Sequence, residues 1–491
     1  MRLMRTAREK FENNSYTNRA SVTIIWSTPS NELHRVSRTK PQTVVENAMS
    51  EQKLDRRQFT KAGAAAAVAA SFSSIPGRAL AKGNVLGSND TIRVGFVGVG
   101  NRGSQLMEAF AEQEDCKFVG CADVYEPYLD RAQEKYGKDL MAVKDYQALL
   151  DRDDIDVIAI ASPDHWHAIQ AITAMAAGKD VYVEKPLAAT IHEGRQMVEA
   201  AKKYEKVVQV GLHRRSMKLY QKLKEFMDEG SVGKITVSSA FRLNNMYPLG
   251  IGKVAPSTPP ADFDWDTWLG PRPKQPYQEN IAPYKFRWWQ RFSSQMGNWG
   301  VHYFDAIRWM IGEESPACVS AMGGRFAIDD DRTIPDTAQA VFEMPGQSLI
   351  SFGQYEASSN KAFPYGELEF RGTEGTVYSG KTGYKVLKEK PGQFQEKEKR
   401  GKESKFELEE PNAVATASHA RNFLDCVKSR KETNCSMLEG HRSTLFAHMA
   451  NISLATKARL QWDPVAEKFD NEAANALLHY EYRKGFELPK F

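Results

Sequence analysis

Three short groups of residues in this chain have the types and spacings that ligand chemistry uses. Gly98-Val99-Gly100-Asn101-Arg102-Gly103 is a G-x-G-x-x-G run between the β-branched stretch Ile92 to Val97 and a helical pattern from Ser104 to Gln113. In that setting the first glycine makes a tight turn, the second lets the backbone approach a pyrophosphate, and the third lets helix and strand pack closely. The open N–H groups of the helix N-terminus then face the phosphates. Gly98, Gly100, Asn101, Arg102 and Gly103 are therefore candidate cofactor-binding residues. Asp123 ends the next strand pattern, Cys116 to Ala122, twenty residues beyond Gly103. A carboxylate there accepts hydrogen bonds from the adenosine ribose hydroxyls and repels a 2′-phosphate, which predicts NAD rather than NADP.

The other two groups are Ser162-Pro163-Asp164-His165-Trp166-His167 and Glu184-Lys185-Pro186. Each directly follows an apolar run, Val157 to Ala161 and Val181 to Val183 respectively. Together with Val207 to Gly211, these runs alternate with helical patterns at Ile169 to Ala177 and His192 to Tyr204, which predicts a parallel sheet covered by helices. Ligands bind at the carboxyl edge of such sheets, where Ser162, Pro163, Glu184 and Lys185 fall. The expected fold class is α/β, beginning with a Rossmann domain over residues 92–212.

Taken together, these three motifs resemble the family of glucose-fructose oxidoreductase, inositol dehydrogenase and rhizopine catabolism proteins (Gfo/Idh/MocA), with the likeness running from about Ile92 to the C-terminus. The resemblance implies a second, α+β domain whose large, mostly antiparallel sheet often builds a dimer or tetramer. Substrate would sit between the nicotinamide and that sheet. It also implies that Lys185 contacts the reacting hydroxyl and that His167 packs near the nicotinamide. A helix of the second domain usually carries D-x-G-x-H-x-x-D, and here it reads Asn298-Trp299-Gly300-Val301-His302-Tyr303-Phe304-Asp305. On this resemblance His302 is the base that takes the hydroxyl proton, while the Lys185 ammonium lowers the hydroxyl's pKa and steadies developing negative charge. Asn298 stands where the family has Asp. Four residues before His302 on a helix, it shares a face with the imidazole and is expected to bind substrate or orient the ring, although an amide cannot stabilise an imidazolium as a carboxylate does. Asp305, three residues after His302, is the candidate to substitute for it, with packing of the helix as the equal alternative.

From His213 onward the pattern changes to a helix, Arg214 to Glu229, and then to strand candidates Ile235 to Phe241, Ala338 to Glu343, Ser348 to Tyr355 and Gly366 to Arg371. This predicts a separate substrate and oligomerisation domain over 213–491. Two groups are expected to reach its cleft: His213, Arg214 and Arg215 after the last Rossmann strand, and Arg287, Trp288 and Trp289 shortly before the His302 helix. Flat indoles and forked guanidinium groups suit a polyhydroxylated ring, so the predicted substrate is a sugar or sugar derivative. Lys385 to Lys405, dense in Lys and Glu, predicts a solvated hairpin or loop. Ser418 to Arg459 predicts helices that pack back on the body, with His419, His441 and His448 in structural roles, and Asn475 to Phe491 an extended tail suited to bridging subunits.

Ahead of the Rossmann pattern, Asp55-Arg56-Arg57-Gln58-Phe59-Thr60-Lys61 precedes an Ala-rich run from Ala62 to Ile75 and a small-x-small site at Ala79-Leu80-Ala81. This order of charge, weak apolar run and small residues is that of a signal peptide, and the paired arginines resemble the twin-arginine export signal. The apolar run is too short to span a bilayer. The expectations are a signal at 49–81, a linker at 82–91, the export machinery as partner and a periplasmic location. Residues 1–48 do not fit ahead of a signal, so translation is expected to begin at Met49; an N-terminal peptide mapping upstream of Met49 would overturn this. The route carries folded proteins, which suits a cofactor loaded before export, kept bound and recycled within each turnover.

Composition narrows the rest. The 491 residues are 41% apolar and 26% charged, which is globular and long enough for two packed domains. The formal +4 comes from the N-terminal segments: from Lys82 onward 53 basic face 56 acidic side chains, near −3, so nothing general attracts nucleic acid. Five cysteines with no C-x-x-C pair write neither a disulfide framework nor a zinc site, and no metal is expected. The expected activity is hydride transfer between bound NAD and a sugar. Two alternatives stand beside it: a redox-neutral glycoside hydrolase or lyase acting through a transient keto-sugar, and a non-catalytic sugar or nucleotide sensor.

Overall fold

In the computed structural model of the protein, the described residues are 90–380, 382–390, 392, 394 and 415–491. The expected upstream extension, the twin-arginine signal, nearly all of the linker and the distal part of the charged hairpin lie outside them.

The first domain alternates β1 (Ile92–Val97), α1 (Asn101–Ala111), β2 (Cys116–Ala122), α2 (Glu126–Tyr136), β3 (Met141–Val143), α3 (Gln147–Leu150), β4 (Val157–Ile160), α4 (His167–Ala176), β5 (Asp180–Val183), α5 (Ile191–Tyr204) and β6 (Val208–Val210). Its sheet is parallel throughout, in the order β3-β2-β1-β4-β5-β6. Strands are added outward in one direction from β1 to β3 and in the other from β4 to β6, and the switch point between β1 and β4 is where open α/β sheets bind ligands. The near-continuous apolar strands follow from burial on both faces, β4 and β5 being buried along their whole length.

The second domain runs through α6 (Lys218–Asp228), β7 (Ile235–Asn245), α7 (Trp265–Leu269), α8 (Val301–Ile311), β8 (Cys318–Gly324), β9 (Thr337–Met344), β10 (Ser348–Tyr355), β11 (Ala357–Ser358), β12 (Leu368–Gly372), β13 (Gly375–Ser379) and β14 (Tyr384–Lys388). It continues with α9 (Ala415–Ser429), α10 (Met437–Thr456), β15 (Leu460–Asp463), β16 (Lys468–Phe469) and α11 (Glu472–Asn475). Its sheet order is β14-β13-β12-β7-β10-β9-β8-β15-β16, with β11 beside β7. All neighbours are antiparallel except β7 and β10. Helices α8 and α10 cover one face through an aromatic cluster: Phe304 stacks on Phe446 at 5.6 Å and meets Phe342 and Phe352 edge-on.

Several expectations are corrected. The helix expected from Arg214 starts only at Lys218, because His213 to Ser216 form a 3₁₀ turn in which Arg214 and Arg215 are buried in ion pairs. Residues 385–388 of the expected solvated hairpin or loop belong to β14, paired with β13 and burying Val386. The tail after α11 lies along its own chain instead of extending away from it. Finally, α9 belongs in packing to the first domain, since Phe423 meets Phe110 and Tyr182 there, and the histidines expected to be structural are so placed, His419 against Val210 and His448 against Ala188. Among the described residues, no helix is long and apolar enough to cross a membrane.

Candidate active site

A cavity of about 1060 Å³ opens along the carboxyl edge of the parallel sheet and reaches the second sheet. At its nucleotide end the glycine run turns at Gly98, whose φ of +78° is left-handed and where a Cβ would lie 2.5 Å from the Ser162 nitrogen. A Cβ at Gly103 would lie 2.0 Å from the Gly98 carbonyl oxygen, so this glycine sets how closely α1 approaches β1. Gly98, Gly100, Asn101 and Arg102 line the cavity, and α1 begins at Asn101 with no side chain capping its N-terminus. The open N–H groups of that first turn, together with the glycine cradle, fit a dinucleotide pyrophosphate.

Asp123 lines the same end. Its carboxylate accepts the Val99 backbone N–H at 2.8 Å and the Tyr125 backbone N–H at 3.0 Å. Burial pushes its pKa up to about 6, against the pull of those N–H groups. Ser162 and Pro163 also line the cavity, whereas His167 does not: its ring nitrogens bond the carbonyls of Pro186 at 2.8 Å and Ser162 at 2.9 Å, so it props the loops after β4 and β5 from behind.

Beyond β5 lies the cluster with acid–base potential. Glu184 is buried and accepts from Arg102 Nε at 2.8 Å, leaving Arg102 Nη2 buried without a hydrogen-bond partner. Lys185 Nζ donates to the backbone oxygen of Asn298 at 2.9 Å and to its Oδ1 at 3.1 Å. Desolvation by the cavity walls brings the Lys185 pKa down to about 8, although Glu184 opposes the shift. His302 stands one turn beyond Asn298, and its ring centre is 5.2 Å from that of His213. Burial, reinforced by the nearby Lys185 charge, holds His302 well below its ordinary pKa, so the imidazole is neutral at pH 7; His213 is held down in the same way, chiefly by burial. The Nδ1 atoms of both rings are buried without a partner. Asn298 does not sit on a regular helix: Met296 to Gly300 form a π turn ahead of α8. Such turns cluster at functional sites, and here one carries the groups that receive Lys185.

The residues expected to bind substrate divide. His213, Arg214 and Trp288 line the cavity. Arg214 pairs with Glu367 at 2.5 Å, lies over the Tyr303 ring at 4.8 Å and keeps Nη1 unpartnered. Trp288 Nε1 donates to the Glu356 carboxylate at 3.0 Å. Arg215, Trp289 and Asp305 do not reach the cavity, which corrects their expected place there. Arg215 and Asp305 form a buried ion pair at 2.8 Å, joined by Ser443 and Glu439, that fastens the turn after β6 to α8 and α10. Asp305 therefore cannot substitute for a carboxylate at position 298. Trp289 donates instead to the Asn280 carbonyl at 2.8 Å, beside an aromatic cluster of Phe263, Trp265 and Trp268.

Sequence reading missed several wall residues. Arg242 lies 3.8 Å from the Trp299 ring, and both face the cavity with Glu356 and Glu367. A signal existed for Arg242 and Asn244, because strand alternation puts them on the same side of β7 as the buried Ser238 and Ala240. Trp268 accepts His165 Nε2 and Trp166 Nε1 on its carbonyl, which brings the Asp264-to-Pro271 segment over the sheet edge. Among the described residues, no group of three or more His, Cys, Asp or Glu could hold a metal ion.

Comparison with known proteins gives this geometry a context. Residues 92–212 match a Gfo/Idh/MocA model described as oxidoreductase family, NAD-binding Rossmann fold, and residues 217–354 and 401–488 match its companion, oxidoreductase family, C-terminal alpha/beta domain. A glycosyl hydrolase family 109 protein of Shewanella baltica (strain OS185) is 36% identical over 174 residues, 31% of this chain and 38% of that protein. An alpha-N-acetylgalactosaminidase of Shewanella oneidensis is 34% identical over 178 residues, again 31% and 38%. The match thus spans well under half the length of these relatives. Levoglucosan dehydrogenase in complex with NADH and levoglucosan shares the fold at a TM-score of 0.58 and 20% identity, covering 76% of this chain and 99% of that one. The WlbA dehydrogenase from Bordetella pertussis, in complex with NADH and UDP-GlcNAcA, does so at 0.57 and 19%, covering 76% and 98%.

Proposed function

From the premise that the chain belongs to the Gfo/Idh/MocA oxidoreductase family and carries its NAD-binding Rossmann domain, we propose that it oxidises a hydroxyl of a sugar or sugar derivative. The observation that carries this reading is the meeting of Lys185, Asn298 and His302 in one cavity wall, continuous with the glycine cradle. Bound NAD supplies the acceptor for the hydride that leaves the substrate carbon. The chain supplies the rest. The Lys185 ammonium, aimed by the two oxygens of Asn298, stabilises negative charge on the reacting oxygen. Neutral His302 takes the hydroxyl proton, and an Asn at position 298 orients Lys185 without adding a charge. Trp288, Trp299 and the unpartnered Arg214 Nη1 offer an indole face and donors to a polyhydroxylated ring.

A second reading, the redox-neutral hydrolase or lyase, is favoured by the family 109 glycosyl hydrolases among the relatives. In it His302 would again take the hydroxyl proton and Lys185 steady the oxygen while the hydride passes to bound NAD, giving a ring ketone that acidifies the neighbouring C–H. The aglycone then leaves by elimination, water adds for a hydrolase, and the same hydride returns to the ketone before release. The Arg56-Arg57 pattern supports export by the twin-arginine route to the periplasm, where a retained cofactor is an advantage. The exposed Met322 and Leu349 on the second sheet support assembly into a dimer or tetramer.

The test is to express the chain from Met49, denature the purified protein and identify any released nucleotide by mass spectrometry, then to assay glycosides and free sugars. Released NAD or NADH with net reduction in the assay supports the oxidoreductase. Cleaved glycoside with no net change in NADH supports the second reading. A protein that neither releases nor binds a nicotinamide nucleotide sinks both.

A further inference from the structure

The last fourteen residues cross the nucleotide end of the cavity, and both of their ends are tied down. At the near end the Leu478 carbonyl accepts the His192 backbone N–H at 3.0 Å. The hydroxyls of Tyr480 and Tyr482 donate to one oxygen of buried Glu193 at 2.7 and 3.0 Å, and the Arg272 guanidinium lies 3.7 Å over the Tyr480 ring. Arg483 then grips Asp266, pairing with its carboxylate at 2.8 Å and its carbonyl at 2.9 Å. At the far end Leu488 and Phe491 pack against the core of the first domain, Phe491 on Tyr204. Between these anchors Gly485, Phe486, Glu487 and Pro489 form part of the cavity wall.

The cavity-lining part of the tail meets the wall through Phe486. Asp123 ends β2 and Lys185 follows β5, on opposite sides of β1 in the sheet order, so the adenosine ribose belongs toward β2 and β3 and the nicotinamide toward β5. Phe486 packs on Trp166, with ring centres 5.7 Å apart, and Trp166 packs on Tyr146, which follows β3 at the outer edge of the sheet. Tyr146, Gln147 and Thr173 complete that wall. Asp145 and Glu487 add carboxylates there, and Lys144 is held by Glu126 at 2.5 Å, a setting that suits a ribose with two free hydroxyls better than a 2′-phosphate.

We propose that residues Gly485 to Pro489 of the C-terminal tail are part of the NAD site, closing over the adenosine half so that bound cofactor leaves only when the tail lifts. This rests on the reading of the cavity as an NAD site. It identifies a segment of this chain that makes the cofactor slow to exchange, as an enzyme that recycles its cofactor within each turnover requires.

The experiment measures, on the full chain, the rate at which excess NAD displaces bound NADH, followed by fluorescence, together with the affinity for ADP-ribose, which has the adenosine half and no nicotinamide. Phe486→Ala removes the aromatic wall, and Arg483→Ala loosens the tail from outside the cavity, so either variant reports if the other fails to fold. The expected result is release about tenfold faster, with ADP-ribose weakened by a similar factor. Release and ADP-ribose affinity within about twofold of the parent, in variants with the parent's melting temperature, overturn the assignment to the tail while leaving the NAD site standing. A parent chain that binds no nicotinamide nucleotide overturns both.

Discussion

The two domains divide the site between a contiguous motif and a convergence of distant segments. The phosphate and ribose cradle of the nucleotide end is built from Gly98 to Gly103, Asp123 and the loops after β4 and β5, each set by the strand immediately before it, and only the outer wall around Tyr146 and Phe486 draws on more distant segments. The substrate end draws single residues from far apart in the chain: His213 after β6, Arg242 on β7, Asn298 and His302 around a π turn, and Glu356 and Glu367 from either side of β11. The first arrangement tolerates change elsewhere in the chain. The second depends on the packing of α8 and α10, because that packing decides which side chains face inward.

The largest effects should fall where the two ends meet. Lys185→Ala and His302→Ala should each lower kcat by about 10²–10⁴-fold while leaving NAD affinity within a few-fold, measured by steady-state kinetics and nucleotide titration. A variant that loses NAD binding instead would break the proposed division of labour. Next, Asp305→Ala leaves buried Arg215 with Glu439 alone, a carboxylate it must share with Arg308, and should destabilise the fold by about 3 kcal/mol in a denaturant melt. If Asp305 acted in catalysis, activity would fall with no loss of stability.

Smaller effects sharpen the contrast. Asp123→Asn should weaken NAD by about 1–3 kcal/mol while leaving the substrate KM unchanged at saturating NAD. For the native protein the sign follows from the pKa raised to about 6: above it the carboxylate is ionised and accepts from the ribose, below it the group is protonated, so NAD affinity should fall as pH drops through about 6. At the other end, Lys185 loses its charge as pH rises through about 8, so kcat/KM should decline on the alkaline side, whereas His302, already neutral, adds no acid limb near pH 6.5. Asn298→Asp would place a carboxylate against the ammonium and move the alkaline limb to higher pH. An unmoved limb would mean that another group controls it.

The amino-acid sequence by itself determined the nucleotide half, because its information is local. A glycine that needs a positive φ, a helix that starts beside it and an acidic residue at the end of the next strand all lie within one βαβ unit, so spacing in the chain is nearly spacing in space. Its resemblance to the family, and not spacing alone, pointed to His302 and Lys185 as partners of one site. Only the tertiary structure decided which neighbours of those residues face the cavity. Arg214 and Arg215 are adjacent and equally basic, yet one lines the site and the other is buried against Asp305; Trp288 and Trp289 divide in the same way. Adjacent residues in a tight turn point in different directions, and which of them meets solvent or ligand is set by elements hundreds of residues away, such as α10. The same holds for the C-terminal tail, whose place over the first domain is written in no periodicity and arises from paired partners, Glu193 and Asp266, supplied by distant parts of the chain.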